Sequence, residues 1–370
     1  MPVRFSRPLV ILQSDDWGRV GVRDQEGYDQ LNSCGIRLGA RPYDLYSLES
    51  AEDLRALASL LSSHRDSEGS APRLVMNFCV ANLDFPAMQQ NEFREIKLLP
   101  LAHGFPGRWA RPGLLEEYRA GVKRNLFSPA LHGLTHFCAP AVQSVLVEDR
   151  HRADLLRVFW EAETPYIYWR MPWIGYEYCN PAPKPQFLEA TKQRVLIHDA
   201  CRMFEDLFGR RPESACAPGY RSNSITHRAW AEAGIRVAQN GAGAGPKPPF
   251  LDQFDLLHLF RSIDFEPSLG HLEPENHLLN ADACFARGIP FIVSIHSINF
   301  HSSLKDFRTP TLSALDDLLN SLESRYPDLL YVTDAELYSL ATVGEARRME
   351  QTVGPILSDG FETLATRGGA

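Results

Sequence analysis

The sequence predicts an α/β protein, a distorted (β/α) barrel of about seven parallel strands with long loop insertions. Short apolar runs recur along the chain, each is followed by turn residues and then by a stretch of helical periodicity, and about seven such pairs fit into 370 residues. An open parallel sheet of the same elements is the alternative architecture.

The strand candidates, in order, are Val10 to Gln13, Leu74 to Val80, Phe127 to Leu131, Ser214 to Ala217, Ile235 to Ala238, Pro290 to Ile295 and Leu329 to Val332. Between them, Ala51 to His64, Leu114 to Lys123, Ala190 to Phe208, Ile225 to Ala233 and Thr311 to Ser324 place apolar residues three and four apart, as an amphipathic helix requires. Gly234 and Pro327 read as stops after two of these helices. The stretches 91–111 and 164–185 are rich in Pro, Trp, Tyr and Gly without clean periodicity, and are expected to be loops on the binding face. No repeat or interdomain linker interrupts the pattern, so residues 1–345 are expected to form a single catalytic domain, with 346–370 as a C-terminal tail.

A hydrophobic content of 44% supports a large core. The net charge of -8 favours neither nucleic acid nor an anionic membrane as partner. The apolar stretch Leu9 to Leu12 is too short for a signal-peptide core, and no run approaches the roughly 20 apolar residues of a membrane span. The expectation is a soluble, cytoplasmic protein. Seven scattered cysteines without close pairs are expected to be reduced thiols.

Four segments carry the chemistry. Ser14-Asp15-Asp16-Trp17-Gly18 ends the first strand, where β/α barrels keep catalytic groups, and one acid can ligate a metal while its neighbour takes a proton from water. His132 and His136 follow the third strand candidate with a spacing that lets both reach one cation if the segment is helical. Joined to Asp16, they make a two-histidine, one-carboxylate set suited to zinc and related divalent ions. His296 ends a buried-looking strand, where its imidazole can protonate a leaving group; His301 competes for that role. Ala217-Pro218-Gly219-Tyr220-Arg221 is a turn able to present backbone N–H groups to a developing oxyanion. Taken singly, each segment has a structural reading as a turn, a cap or a core histidine.

These four segments, in this order, resemble the polysaccharide deacetylase superfamily from about residue 9 to 340. The first motif of that family, Thr-Phe-Asp-Asp-Gly, is similar to Gln13-Ser14-Asp15-Asp16-Trp17-Gly18 with one residue inserted. Its His-(Ser/Thr)-x-x-His motif matches His132 and His136, with Gly133 in the second position, and its Leu-x-His motif is similar to Ser294-Ile295-His296. The third motif, Arg-x-Pro-Tyr, is matched only by Cys216-Ala217-Pro218-Gly219, with Cys for the Arg that steadies the catalytic Asp and Gly for the Tyr. The resemblance implies a metal-dependent hydrolase on a distorted barrel. Asp16, His132 and His136 would hold one divalent ion, zinc first and Co, Ni, Fe or Mn as alternatives. Asp15 would be the base and His296 the acid.

Around that centre, Trp17, Tyr220, Arg221, Arg261, Glu266 and Asn299 are candidates for oxyanion or substrate contacts. Arg221 and Arg261 are the two replacements available for the Arg missing at Cys216. Trp160, Trp169, Trp173 and Tyr176 are candidates for stacking on sugar faces. The expected function is removal of an N-acetyl or other N-acyl group from a sugar, a small-molecule or oligosaccharide substrate such as a nucleotide sugar or a surface-polysaccharide precursor. The competing expectations are hydrolysis of a non-sugar C–N bond such as a cyclic amide, and a noncatalytic sugar-binding protein.

Overall fold

In a computed structural model, which describes residues 2–181, 184–270 and 274–342, seven parallel strands form a ring. They are β1 (Leu9–Trp17), β2 (Leu74–Phe78), β3 (Phe127–Leu131), β4 (Ser214–Cys216), β5 (Val237–Asn240), β6 and β7 (Phe291–His296). β6 comprises two consecutive pieces, Leu257–Phe260 and Ile263–Asp264. β1 pairs with β2, β2 with β3, β3 with β4 and β4 with β5. The first piece of β6 then pairs with β5 and the second with β7, which pairs with β1. The ring therefore closes through a strand that changes partners at Arg261–Ser262. Its weakest seam is β3–β4, joined only at Leu131 and Ala215.

The count of seven agrees with the sequence expectation, but one member differs. Leu330–Tyr331 is a two-residue strand that flanks the start of β1. The seventh barrel strand is instead β6, which the sequence hid because its alternation slips. Leu257 and Leu259 point into the barrel, whereas Ile263 packs outside it. The helices come close to their expected positions, at Ala51–Leu61, Leu114–Lys123, Ala190–Phe208, Ser224–Glu232 and Arg308–Arg325. Ser50 caps the first through a reciprocal bond pair with Asp53, and Asn223 accepts from Ile225 and Thr226 at the start of the fourth.

Strand side chains alternate between faces, and the alternation sorts the core into two. Leu9, Ile11, Val75, Ala130, Val237, Leu257, Leu259 and Ile292 fill the lower barrel. Their neighbours Val10, Leu12, Met76, Leu131, Ala238 and Val293 pack outward against the helices. Continuing inward by twos up β1 leads to Gln13 and Asp15, up β2 to Asn77, up β3 to His132, up β4 to Ser214 and Cys216, up β5 to Gln239, and up β7 to Ser294 and His296. The barrel interior is thus apolar below, polar in the middle and ionisable at the top, the face where such barrels place their chemistry.

The helix Asp334–Thr342 contributes to the middle layer. Asp334 accepts from Gln13 and Gln239 at 2.8 Å each and from the Ser214 hydroxyl. The expected tail 346–370 lies outside the described residues. Among the described residues, no helix is long and apolar enough to cross a membrane. All seven cysteines are free thiols.

Candidate active site at the top of the barrel

Asp15 and Asp16 are adjacent in a strand, so regular alternation would aim them at opposite faces. The β1–β2 register shifts between Ser14 and Trp17, three steps on β1 being matched by two on β2, and Asp16 takes a left-handed φ of 74°. That bulge absorbs the extra residue and turns Asp16 toward the same cavity as Asp15. His132 and His136 also converge, but not on a helix. The segment after β3 is a turn in which Gly133 and His136 have φ of 98° and 72°.

The turn is held by Glu177, a carboxylate buried to 1% exposure that accepts from the backbone N–H of Leu134, Thr135 and His136 at 2.7, 2.8 and 3.1 Å. Burial pushes the Glu177 pKa up, and these N–H donors pull it back. A Cβ at Gly133 would sit 3.0 Å from the Glu177 carboxyl, so a side chain there would crowd the loop acid.

One ligand atom each from Asp16, His132 and His136 lies within 4.8 Å of the other two. His136 Nε2 is 3.2 Å and His132 Nε2 3.5 Å from Asp16 Oδ1. His132 Nδ1 donates to the Cys216 carbonyl at 2.9 Å, and His136 Nδ1 meets the Tyr166 hydroxyl at 3.1 Å, which leaves both Nε2 atoms facing inward. Burial holds His136 down to about 3, so its imidazole is neutral. Asp16 Oδ1 is buried and accepts no hydrogen bond, the condition of an atom reserved for a cation. The donor set fits a divalent ion of the zinc class.

Arg19, which the sequence did not single out, donates to the other Asp16 oxygen at 3.0 Å with its guanidinium 4.1 Å over the Tyr46 ring. Burial would raise the Asp16 pKa, but Arg19 outweighs it and holds the carboxylate ionised.

Asp15 has a different neighbourhood. Arg261 grips it with both terminal nitrogens, at 2.5 Å to Oδ1 and 2.6 Å to Oδ2, and Asn77 donates to Oδ1 at 2.7 Å. The Cys216 thiol adds a weak contact to Oδ2 at 3.9 Å, so each of about four lone-pair positions of the carboxylate faces a donor. Burial opposes the charge, yet Arg261, supported by His132 and His296, holds Asp15 well below the usual carboxylate range.

Of the two arginines considered as replacements, Arg261 is the one that reaches the space opened by Cys216, its guanidinium 3.8 Å from the sulfur. Arg221 is exposed and outside the cavity lining. Arg261 is itself fixed by Gln13, Gln239 and Ser294 at 3.1, 3.2 and 2.8 Å. Through the two glutamines it is linked to Asp334, two bonds further from the cavity.

His296 Nε2 lies 4.0 Å from Asp15 Oδ2 across the cavity, while its Nδ1 meets Glu266 Oε1 at 2.6 Å. Burial would lower the His296 pKa; the Glu266 carboxylate reverses this and pushes it up to about 10. Glu266 is in turn held by the amide of Asn299 at 2.6 Å. His301 is buried against Glu49 and Tyr46, away from the cavity.

Several of the candidates for substrate contact have protein partners. Trp17 is fully buried and stacks on Phe300, Arg261 serves Asp15, and Glu266 and Asn299 serve His296. Trp160 is core and Trp173 packs against Arg152, whereas Trp169 and Tyr176 do line the cavity. Tyr220 lines it too, but its backbone N–H donates to the Ala217 carbonyl and its hydroxyl takes a bond from Arg261. Gly219 lines the cavity, and its N–H has no acceptor among the described residues. Gly219 has a φ of 58°, and a Cβ there would collide with the Tyr176 ring at 2.5 Å. The cavity encloses about 370 Å³, with Tyr43, Tyr46, Tyr166, Tyr168, Trp169 and Tyr176 as aromatic walls.

No family model and no curated protein matches the chain. Solved structures do. It is similar to a “putative polysaccharide deacetylase” from Mycobacterium smegmatis, 12% identical over 92% of this chain and 93% of that one, with a TM-score of 0.48. It is also similar to a probable polysaccharide deacetylase from Pseudomonas aeruginosa PAO1, 14% identical over 90% of each chain, with a TM-score of 0.46. A family 4 carbohydrate esterase from Streptomyces lividans in complex with acetate is 11% identical, over 90% of this chain and 94% of that one, with a TM-score of 0.35. The fold and the site define a class by themselves: a parallel β/α barrel with a candidate two-histidine, one-carboxylate metal centre beside an aspartate and a protonated histidine.

Proposed function

We propose that this chain is a metal-dependent hydrolase that removes an N-acetyl or other N-acyl group from a sugar. The observation that carries the reading is the convergence of Asp16, His132 and His136, with an unpaired Asp16 oxygen, in the cavity that Asp15 and His296 also line. A divalent ion held by these three residues supplies Lewis acidity toward an acyl oxygen and toward water.

The protein groups divide the remaining work. Asp15, held ionised by Arg261 and lining the cavity, takes the proton of the attacking water. The Gly219 N–H donates to the oxygen that gains charge, a contact worth roughly 3 kcal/mol of barrier. His296, charged at neutral pH and anchored through Nδ1, delivers the Nε2 proton to the departing nitrogen. The aromatic walls suit the faces of a sugar ring. A cavity of about 370 Å³ is near the small end for ligand sites, which favours one sugar unit with its substituents over a long stretch of polymer. A nucleotide sugar or a surface-polysaccharide precursor meets that description, and cytoplasmic action is part of the proposal.

The test is acetate release from a panel of acetamido sugars and nucleotide sugars by zinc-loaded protein, with cyclic amides run in parallel. Acetate from at least one sugar, abolished by Asp15→Asn, is the expected result. No acetate from any of them, with ring opening of a cyclic amide instead, would overturn it.

A further inference from the structure

A second group of metal-ligating side chains lies on the outside of the barrel. His227 belongs to the first turns of the helix Ser224–Glu232, Asp252 to the turn between Phe250–Leu251 and β6, and His258 to β6 on its outward face. One ligand atom from each lies within 4.8 Å of the other two. The donor set is the same as that of Asp16, His132 and His136, two imidazoles and one carboxylate.

Asp252 and His227 are oriented from behind, and His258 Nδ1 lies 3.4 Å from Asn240 Nδ2. Asp252 spends Oδ1 on the backbone N–H of Phe254 and Leu256, at 2.8 and 3.1 Å, and so aims Oδ2 at His258 Nε2, 3.1 Å away. His227 Nε2 meets the Ser222 hydroxyl at 3.0 Å; with that hydroxyl accepting, the Nδ1 lone pair is left free. The two imidazoles face each other with centroids 4.8 Å apart at 72°, and Phe250 covers the other face of His258 at 4.8 Å. Outer partners that fix tautomer and direction are what a ligand set needs. His227 also packs on Trp230, with ring centroids 5.9 Å apart, so its ring is held in place from the helix side while it faces Asp252 and His258.

We propose that His227, Asp252 and His258 bind a second divalent transition-metal ion, structural in role. Two imidazoles select zinc, cobalt or nickel over magnesium or calcium, which prefer all-oxygen sites. Binding requires His258 to release the Nε2 proton that it holds toward Asp252 Oδ2 and to carry its remaining proton on Nδ1. The ion ties the hairpin ahead of β6 to the helix that follows the Pro218–Tyr220 turn, and takes no part in hydrolysis.

The experiment strips the full chain with chelator, adds zinc, removes excess by gel filtration and measures bound metal and melting temperature. Wild type should hold about two equivalents, His132→Ala about one, His227→Gln about one, and the double variant close to none. Zinc should raise the melting temperature of His132→Ala and leave that of the double variant unchanged. His227 is half-buried on a helix surface, so His227→Gln keeps the fold, and Asp252→Asn is a second variant of unchanged shape expected to behave alike. The inference is overturned if His132→Ala retains no zinc, or if adding His227→Gln or Asp252→Asn removes none from it. Should wild type hold one equivalent that His132→Ala keeps and His227→Gln loses, this inference stands and the metal centre under the proposed function falls.

Discussion

The two halves of the cavity are built from adjacent aspartates but held together in different ways. The metal half, Asp16, His132 and His136, comes from two short motifs, each within a few residues of a strand end. The acid–base half, Asp15 and His296, depends on Arg261, Glu266, Asn299 and the Gln13–Gln239–Asp334 network, brought from β6, β7 and the last described helix. Each aspartate has its own buried arginine, Arg19 for Asp16 and Arg261 for Asp15. Arg19 leaves one Asp16 oxygen free, whereas Arg261 occupies both of Asp15. The difference teaches that a ligand must keep a lone pair open, while a base in a dry site must first be kept charged.

That contrast can be broken experimentally. The largest effect is expected from removing a ligand: Asp16→Ala or His132→Ala should abolish hydrolysis, by 10³-fold or more on the order of what Lewis-acid chemistry supplies, and lower bound metal by one equivalent. Metal analysis beside an activity assay checks it, and unchanged metal content would refute the assignment. Next, Asp15→Asn and His296→Ala should each cost about 10²–10⁴-fold in kcat with bound metal unchanged, since general acid–base groups contribute on that scale. Loss of metal in either variant would erase the distinction between the halves.

Arg261→Ala leaves a buried carboxylate unpaired and should destabilise the fold by about 3–5 kcal/mol, read from urea unfolding. Rescue of stability in the Asp15→Asn, Arg261→Ala double variant would show that the cost was the stranded charge. Glu266→Gln tests the electrostatics. With His296 raised to about 10, kcat/KM should hold through neutral pH and fall above about pH 10, and Glu266→Gln should move that limb down toward 6.5 or below. The same shift contributes stability that is fully present below pH 6.5 and lost as the pH rises through about 10. The smallest effect is expected at Gly133→Ala, where a φ of 98° and the Glu177 contact should cost about 1–2 kcal/mol and weaken metal retention.

Strand ends carrying Asp15, Asp16, His132 and His296 could be read from local pattern because alternation and turn residues mark where a barrel strand stops. Glu177 left one faint trace, a single charge inside the aromatic run Trp173 to Tyr178. Arg19 left none, being an ordinary cation three residues past the Asp pair. β6 was missed because its partner change at Arg261 breaks the alternation that reveals a strand.

The departures from the family pattern show the same boundary from the other side. Cys216 in place of Arg, Gly133 in place of Ser or Thr and Gly219 in place of Tyr read as losses in one dimension. In three dimensions Arg261 enters beside Cys216, Glu177 lies against Gly133 and Tyr176 packs on Gly219.

The sequence by itself determined which residues could bind a cation and roughly where each strand would deliver them, because those properties belong to residue type and to a period of two. Only the tertiary structure decided which arginine charges Asp15, which acid charges His296 and which backbone N–H stays open. Those choices depend on groups hundreds of residues apart meeting in a site with too little water to let any charge stand alone.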